Sequence, residues 1–155
     1  MGNSNTQEAN TQEAIRKKTI SEFVEASGAD AIPRMHRMLY VDRSITDINI
    51  KDSTWSDHTA LHYQSQYGTT GSVAWLLMQD PPAGVNERNS YQKTPLMDAA
   101  CSGEDPEGKV RLLLDHGADR DIKNQWGNTA LDYARSTNKP AVIDMLENYR
   151  PDVSR

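Results

Sequence analysis

The chain has 155 residues and a formal net charge of −5, with a pI near 5.3 that argues against nucleic acid as its main partner. Apolar residues make up 36% and charged residues 25%, and no apolar run approaches the roughly eighteen residues a transmembrane helix needs. A single cysteine, Cys101, excludes a disulfide scaffold and a cysteine-based structural zinc site, and points to a reducing, cytoplasmic setting. So lean a composition implies a core that is thin, or repeated in small portions.

Residues 1–16 form a polar tail containing a tandem pentapeptide, Asn5-Thr6-Gln7-Glu8-Ala9 then Asn10-Thr11-Gln12-Glu13-Ala14. With almost no large apolar residue the tail is expected to be either flexible or a helical extension, since Gln, Glu and Ala favour helix. No apolar stretch there resembles a secretory signal. Met1-Gly2-Asn3-Ser4-Asn5-Thr6 fits the N-myristoylation pattern at Gly2. An unmodified start and an acylated one are both open, and membrane attachment is expected only if Gly2 is acylated, with Arg16-Lys17-Lys18 as a weak electrostatic aid.

Further along, three blocks repeat. Thr59-Ala60-Leu61-His62-Tyr63, Thr94-Pro95-Leu96-Met97-Asp98-Ala99-Ala100 and Thr129-Ala130-Leu131-Asp132-Tyr133-Ala134 place their threonines 35 residues apart, twice running. Each is followed by a second apolar cluster: Val73–Leu77, Val110–Leu114 and Val142–Leu146. Threonine is a good helix N-cap, and Pro95 suits a first helical position, where no intrahelical N–H bond is lost. Small residues such as Ala99, Ala100 and Ala134 let neighbouring helices approach, and the leucines of the second cluster fill the space between units. Gly117 suits a helix terminator, because glycine accepts left-handed backbone. No unit has enough apolar surface to stand alone, so stacking must supply the core.

These blocks resemble the ankyrin repeat, whose signature T-P-L-H-x-A they match in part, and Asp115-His116-Gly117-Ala118-Asp119 is similar to that family's exit from the second helix. The resemblance covers about residues 48–148. It implies an all-α solenoid of four helix-turn-helix units joined by β-hairpin loops. Ile48-Asn49-Ile50-Lys51-Asp52 looks like a hairpin following a repeat, which implies a degenerate first unit with helices near residues 20–26 and 31–41. The units are then 17–51, 52–88, 89–123 and 124–150, with a short tail at 151–155. Against the family period of about 33 residues, the surplus is expected at the Trp55 hairpin or the Pro81-Pro82 turn, and at Glu104-Asp105-Pro106.

Candidate chemistry is sparse. No phosphate-binding loop, dinucleotide fingerprint, nucleophile elbow or zincin motif is present. His58 and His62 are four apart, but Thr59 caps the helix between them, so they do not share a helical face and no metal is expected. His62 falls on the family's histidine, which the resemblance implies is a hydrogen-bonding residue between units. Asp98 reads as a polar inter-unit contact, Cys101 as a small packing residue and Trp75 as core. No catalytic activity and no cofactor are expected.

The aromatic residues say more. In the ankyrin frame, Trp55, Tyr91 and Trp126 occupy hairpin tips, 36 and 35 residues apart, and should line one edge of the concave face, with Tyr67 near the inner end of a first helix. Exposed aromatics are enriched at binding hot spots. His58, Lys93, Gln125 and Asn128 at the tips, with Gln66 and Ser102 on the inner helices, would complete a groove of little net charge. The expected function is non-catalytic binding of a partner protein through this face. A constitutive structural subunit of a large assembly and a membrane-tethered adaptor are the alternatives, and the sequence addresses no oligomeric state.

Overall fold

The computed structural model describes residues 3–150, with side chains from Thr6 onward, so Gly2 and the tail at 151–155 lie outside the described residues. Helix α1 (Asn3–Val24) runs through the boundary at residue 16 and joins the tail to the first unit as one helix. Residues 6–18 are all exposed. With no apolar stripe to bury, this stretch relies on local support. Glu13 pairs with Lys17 at 2.8 Å, and the Thr11 and Thr19 hydroxyls donate to the carbonyls four residues back. Only near its C-terminal end does α1 enter the core, through the buried Phe23 and Val24.

After a turn at Gly28–Asp30, helix α2 (Ala31–His36) continues through one π-helical turn (Arg37–Val41). Pro33 is tolerated because the first turn has no intrahelical N–H bonds to lose. The rest alternates between two rows. First helices are α3 (Ala60–Tyr67), α5 (Pro95–Ala100) and α7 (Ala130–Ser136). Second helices are α4 (Thr70–Leu77), α6 (Pro106–Asp115) and α8 (Pro140–Asn148). The rows α1–α3–α5–α7 and α2–α4–α6–α8 pack side by side, each helix against its neighbours in the row. Among the described residues there is no strand, only a bridge between Asp52 and His58. No helix there is long and apolar enough to cross a membrane.

The threonine frame sets the helix starts. Thr59 and Thr129 form reciprocal capping boxes with His62 and Asp132, satisfying donors at each end of the box. Gly117, at φ 87°, closes α6 where a side chain would be strained. Ala60, Ala99, Ala100, Ala130 and Ala134 are buried between first helices, while Leu76, Leu113 and Leu146 fill the second row. Trp75, expected in the core, is half-buried against it.

Candidate protein-interaction face

The hairpin tips are built by one buried acceptor each. In unit three, Asn89 Oδ1 accepts the N–H groups of Tyr91 and Lys93, both at 3.0 Å, and in unit four Asn124 Oδ1 does the same for Trp126 and Asn128, again at 3.0 Å. Asp52 holds the corresponding place in unit two, accepting from Thr54. Its loop back to the capping threonine is two residues longer, seven against five. The surplus expected at the Trp55 hairpin is therefore there, as a 3₁₀ turn (Ser53–Trp55) followed by Ser56 and Asp57 in left-handed backbone. The tips stack on one another through backbone bonds, Ser90 N–H to the Ser56 carbonyl at 2.9 Å and Gln125 N–H to the Tyr91 carbonyl at 3.1 Å.

The longer loop turns Trp55 inward. Its ring is half-buried, with centroids 5.3 Å from Tyr63, 5.7 Å from Tyr67 and 4.9 Å from His58. His58 is buried beneath it. Its Nδ1–H donates to the Trp55 carbonyl at 2.6 Å, which leaves Nε2 to accept from the Asn89 amide at 3.4 Å. His62 takes the opposite tautomer: Nε2–H donates to the Lys93 carbonyl at 3.0 Å, while Nδ1 accepts from the Thr59 N–H at 3.3 Å. Burial, with the nearby Lys51 and Lys93 ammonium groups, pushes the His62 pKa down to about 3 against the pull of the Lys93 carbonyl. The imidazole is thus a neutral hydrogen-bonding residue between units two and three. His58 and His62 lie with ring centroids 5.4 Å apart, yet each nitrogen already has a protein partner, and no metal-ligand cluster occurs among the described residues.

Lys93 is drawn inward as well. Its ammonium pairs with the fully buried Asp98 and lies 4.9 Å over the Tyr133 ring of unit four. Burial disfavours the ammonium, but the Asp98 carboxylate outweighs it and holds the Lys93 pKa above its ordinary value. Asp98 Oδ2 is buried with no hydrogen-bond partner among the described residues. The inter-unit contact expected of Asp98 is instead a pair within its own unit, and Lys93 makes the inter-unit step. Cys101 is half-buried, and burial raises its thiol pKa, which suits packing rather than nucleophilic attack. Ser102 is buried and lies within 3.0 Å of the Gln66 carbonyl, to which its hydroxyl can donate, while it accepts the buried Lys109 ammonium at 2.9 Å.

What remains open to solvent is a shorter set. Tyr91 and Trp126 stack at 5.6 Å and 23° between rings, and are 41% and 59% exposed. Tyr67 is 52% exposed, Gln125 and Asn128 are exposed beside the stack, and Gln66 is half-buried. The even three-step ladder is therefore divided into an inward cluster around Trp55 and an outward stack of Tyr91 on Trp126.

A family model described as "Ankyrin repeats (3 copies)" matches residues 28–124 and 73–155. The chain belongs to the ankyrin-repeat family. Ankyrin repeats generally mediate protein–protein interaction and are typically non-catalytic. The chain is 26% identical over 136 residues to the ankyrin repeat-containing protein C6C3.08 of Schizosaccharomyces pombe, covering 86% of this chain and 58% of that protein. It is 30% identical over 123 residues to the E3 ubiquitin-protein ligase hecd-1 of Caenorhabditis elegans, covering 79% and 4%. Over 65 residues it is 38% identical to potassium channel KOR2 of Oryza sativa subsp. japonica, covering 42% and 9%. The chain spans less than two thirds of the length of each of these relatives.

Several residues that shape this ankyrin face carry no strong sequence signal. Asn89 and Asn124 recur at the repeat period of 35 residues, five before each threonine, and that recurrence could have marked them as tip-holding acceptors. Gln64 spans units one and two, bonding the Ala26 carbonyl while accepting from Ser72 Oγ at 2.7 Å. Its role is set by burial, which a single glutamine does not announce.

Proposed function

We propose that this ankyrin-repeat chain is a non-catalytic protein-interaction module that binds a partner protein through the hairpin tips and the row of first helices. The observation that carries the reading is the Tyr91–Trp126 stack: two large aromatic rings kept in solvent by hairpins that are themselves locked by buried asparagines. A rigid tip presents its anchor at little ordering cost on binding, and Tyr and Trp are the residues enriched at hot spots. Gln125 and Asn128 flank the stack on the tips, and His58 and Lys93 support the tips through Asn89, while Tyr67 is displayed at the Trp55 cluster and Gln66 and Ser102 meet at the inner ends of the first helices. An intracellular setting fits the free Cys101.

Photo-crosslinking tests this. Benzoylphenylalanine at Gln125, beside the stack, should trap a discrete partner in the native cell, and the same probe at Arg111 on the second row should not. Equal trapping at both positions would remove the face from the account. A second reading, a subunit of a larger assembly, is favoured by one observation: residues 6–18 of α1 are exposed throughout, and a helix of that length without packing is marginal alone. A membrane-tethered adaptor requires acylation of Gly2, and the intact mass of protein from its native cells decides it.

A further inference from the structure

We infer that the N-terminal end of the solenoid is a self-complementary surface through which two copies of this chain pair. Two hollows lie side by side there and share Ile45 and Thr46 as a common wall. The larger, about 370 Å³, is floored by Leu39, Ile45 and Ile48 and walled by Tyr40 and Pro81. Its rim carries Asp47, Asp80 and Arg43. The smaller, about 230 Å³, is bounded on one side by α1, through Ile15, Arg16 and Ile20.

The two halves differ in relief and charge. Tyr40 and Ile15 are 46% and 55% exposed, unusual for residues beside an apolar hollow. The π-helical turn at Arg37–Val41 carries Tyr40 outward, and the Tyr40 hydroxyl donates to Gln79 Oε1 at 3.0 Å, fixing the wall to unit two. The rim is fixed too: Asp47 accepts the Asn49 N–H at 2.9 Å, and Asn49 accepts the Gly84 N–H at 2.6 Å. Opposite this rigid, net-acidic hollow stands a ridge of α1 that joins an apolar anchor, Ile15, to a cation, Arg16. Lys17 is engaged with Glu13, while Arg16 has no ion-pair partner among the described residues.

One surface thus carries both an apolar ridge with a free cation and an apolar hollow with two carboxylates. That is the condition for a two-fold contact, in which the ridge of each copy meets the hollow of the other. Ile15 enters beside Tyr40 and Ile45, and Arg16 faces Asp47 and Asp80. Pairing also gives the exposed half of α1 the packing that a polar helix lacks on its own.

Sedimentation velocity of the full chain between about 1 and 500 µM tests the proposal. A monomer–dimer equilibrium is expected, weakened severalfold by raising salt from 50 to 500 mM. R16E and the double variant D47K/D80K should each weaken the dimer at least tenfold. An equimolar mixture of the two should restore it, because both contacts of the mixed pair then join opposite charges, and recovery also shows that both variants are folded. A chain that stays monomeric to 500 µM overturns the proposal. So does a dimer indifferent to these variants, or a mixture that fails to recover.

Discussion

Two neighbouring junctions of this solenoid use one frame and two chemistries. Between units two and three the frame is polar: His62 caps α3 with Thr59 and bonds the Lys93 carbonyl, while His58 bridges Trp55 and Asn89. Between units three and four the position of His62 is taken by Met97, which is buried and apolar, and the Thr94 hydroxyl is left buried without a hydrogen-bond partner among the described residues. The tips differ in step. Beside the histidine junction, the longer Asp52 loop folds Trp55 inward; beside the methionine one, Tyr91 and Trp126 stack outward. Repetition thus constrains the backbone far more than the side chains, and exposed aromatic rings can be displayed at one junction while its neighbour holds a buried histidine network.

The largest effect is expected at the buried pair within unit three, whose Lys93 ammonium reaches over Tyr133 of unit four. Asp98→Ala leaves the Lys93 ammonium buried and unpaired and should cost about 3–5 kcal/mol. The double variant K93M/D98L should recover most of that loss, because it removes both charges. Urea unfolding at pH 7 reads both. If D98A is neutral, the pair contributes nothing to holding unit three.

Acid should distinguish the junctions next. The native His62 pKa is about 3, below the ordinary unfolded value near 6.5. Between these values the unfolded chain takes a proton that the native one refuses, so this contribution is complete above about pH 6.5 and is lost as the pH falls toward 3. The loss is up to about 1.4 kcal/mol per pH unit. In His62→Met, which copies unit three, unfolding between pH 6 and 4 should release its dependence on that proton. An unchanged slope would mean that His62 titrates normally.

Tip substitutions should then separate support from display. Trp55→Ala removes a half-buried ring from contact with Tyr63, Tyr67 and His58 and should cost about 2 kcal/mol. Trp126→Ala removes a mostly exposed ring and should cost under about 1 kcal/mol, the range of one stacked pair. Equal losses would erase the distinction between the tips. One substitution should give a gain of similar size. Met97→His offers Thr94 the partner that Thr59 already has, and should add about 1 kcal/mol at neutral pH. A net loss would show that apolar packing of Met97 outweighs the cap.

Much of the fold was legible because it rests on spacing. The helix-start threonines, the alanines of the first row and the leucines of the second repeat with the unit, Gly117 closes α6, and each has a local physical reason for its place. The first unit was harder: no threonine cap marks it, and α1 passes without a break from polar tail to core, so the boundary at residue 16 has no structural counterpart. At the face, sequence spacing placed the aromatics at the tips but could not say which way a tip turns. That depends on two extra residues between Asp52 and Thr59, and on buried partners that draw Lys93, His58 and Ser102 inward. Chemistry at a surface is decided by burial, which arises only when units stack.

The proposed role of the Tyr91–Trp126 stack is to anchor a partner protein. Affinity capture from native cells with quantitative mass spectrometry, comparing wild type with Y91A/W126A alongside their melting temperatures, tests it most directly. One partner set should be lost by the double variant while the melting temperature falls by only a few degrees. Recovery of the same partners at wild-type levels by a folded Y91A/W126A protein would contradict it.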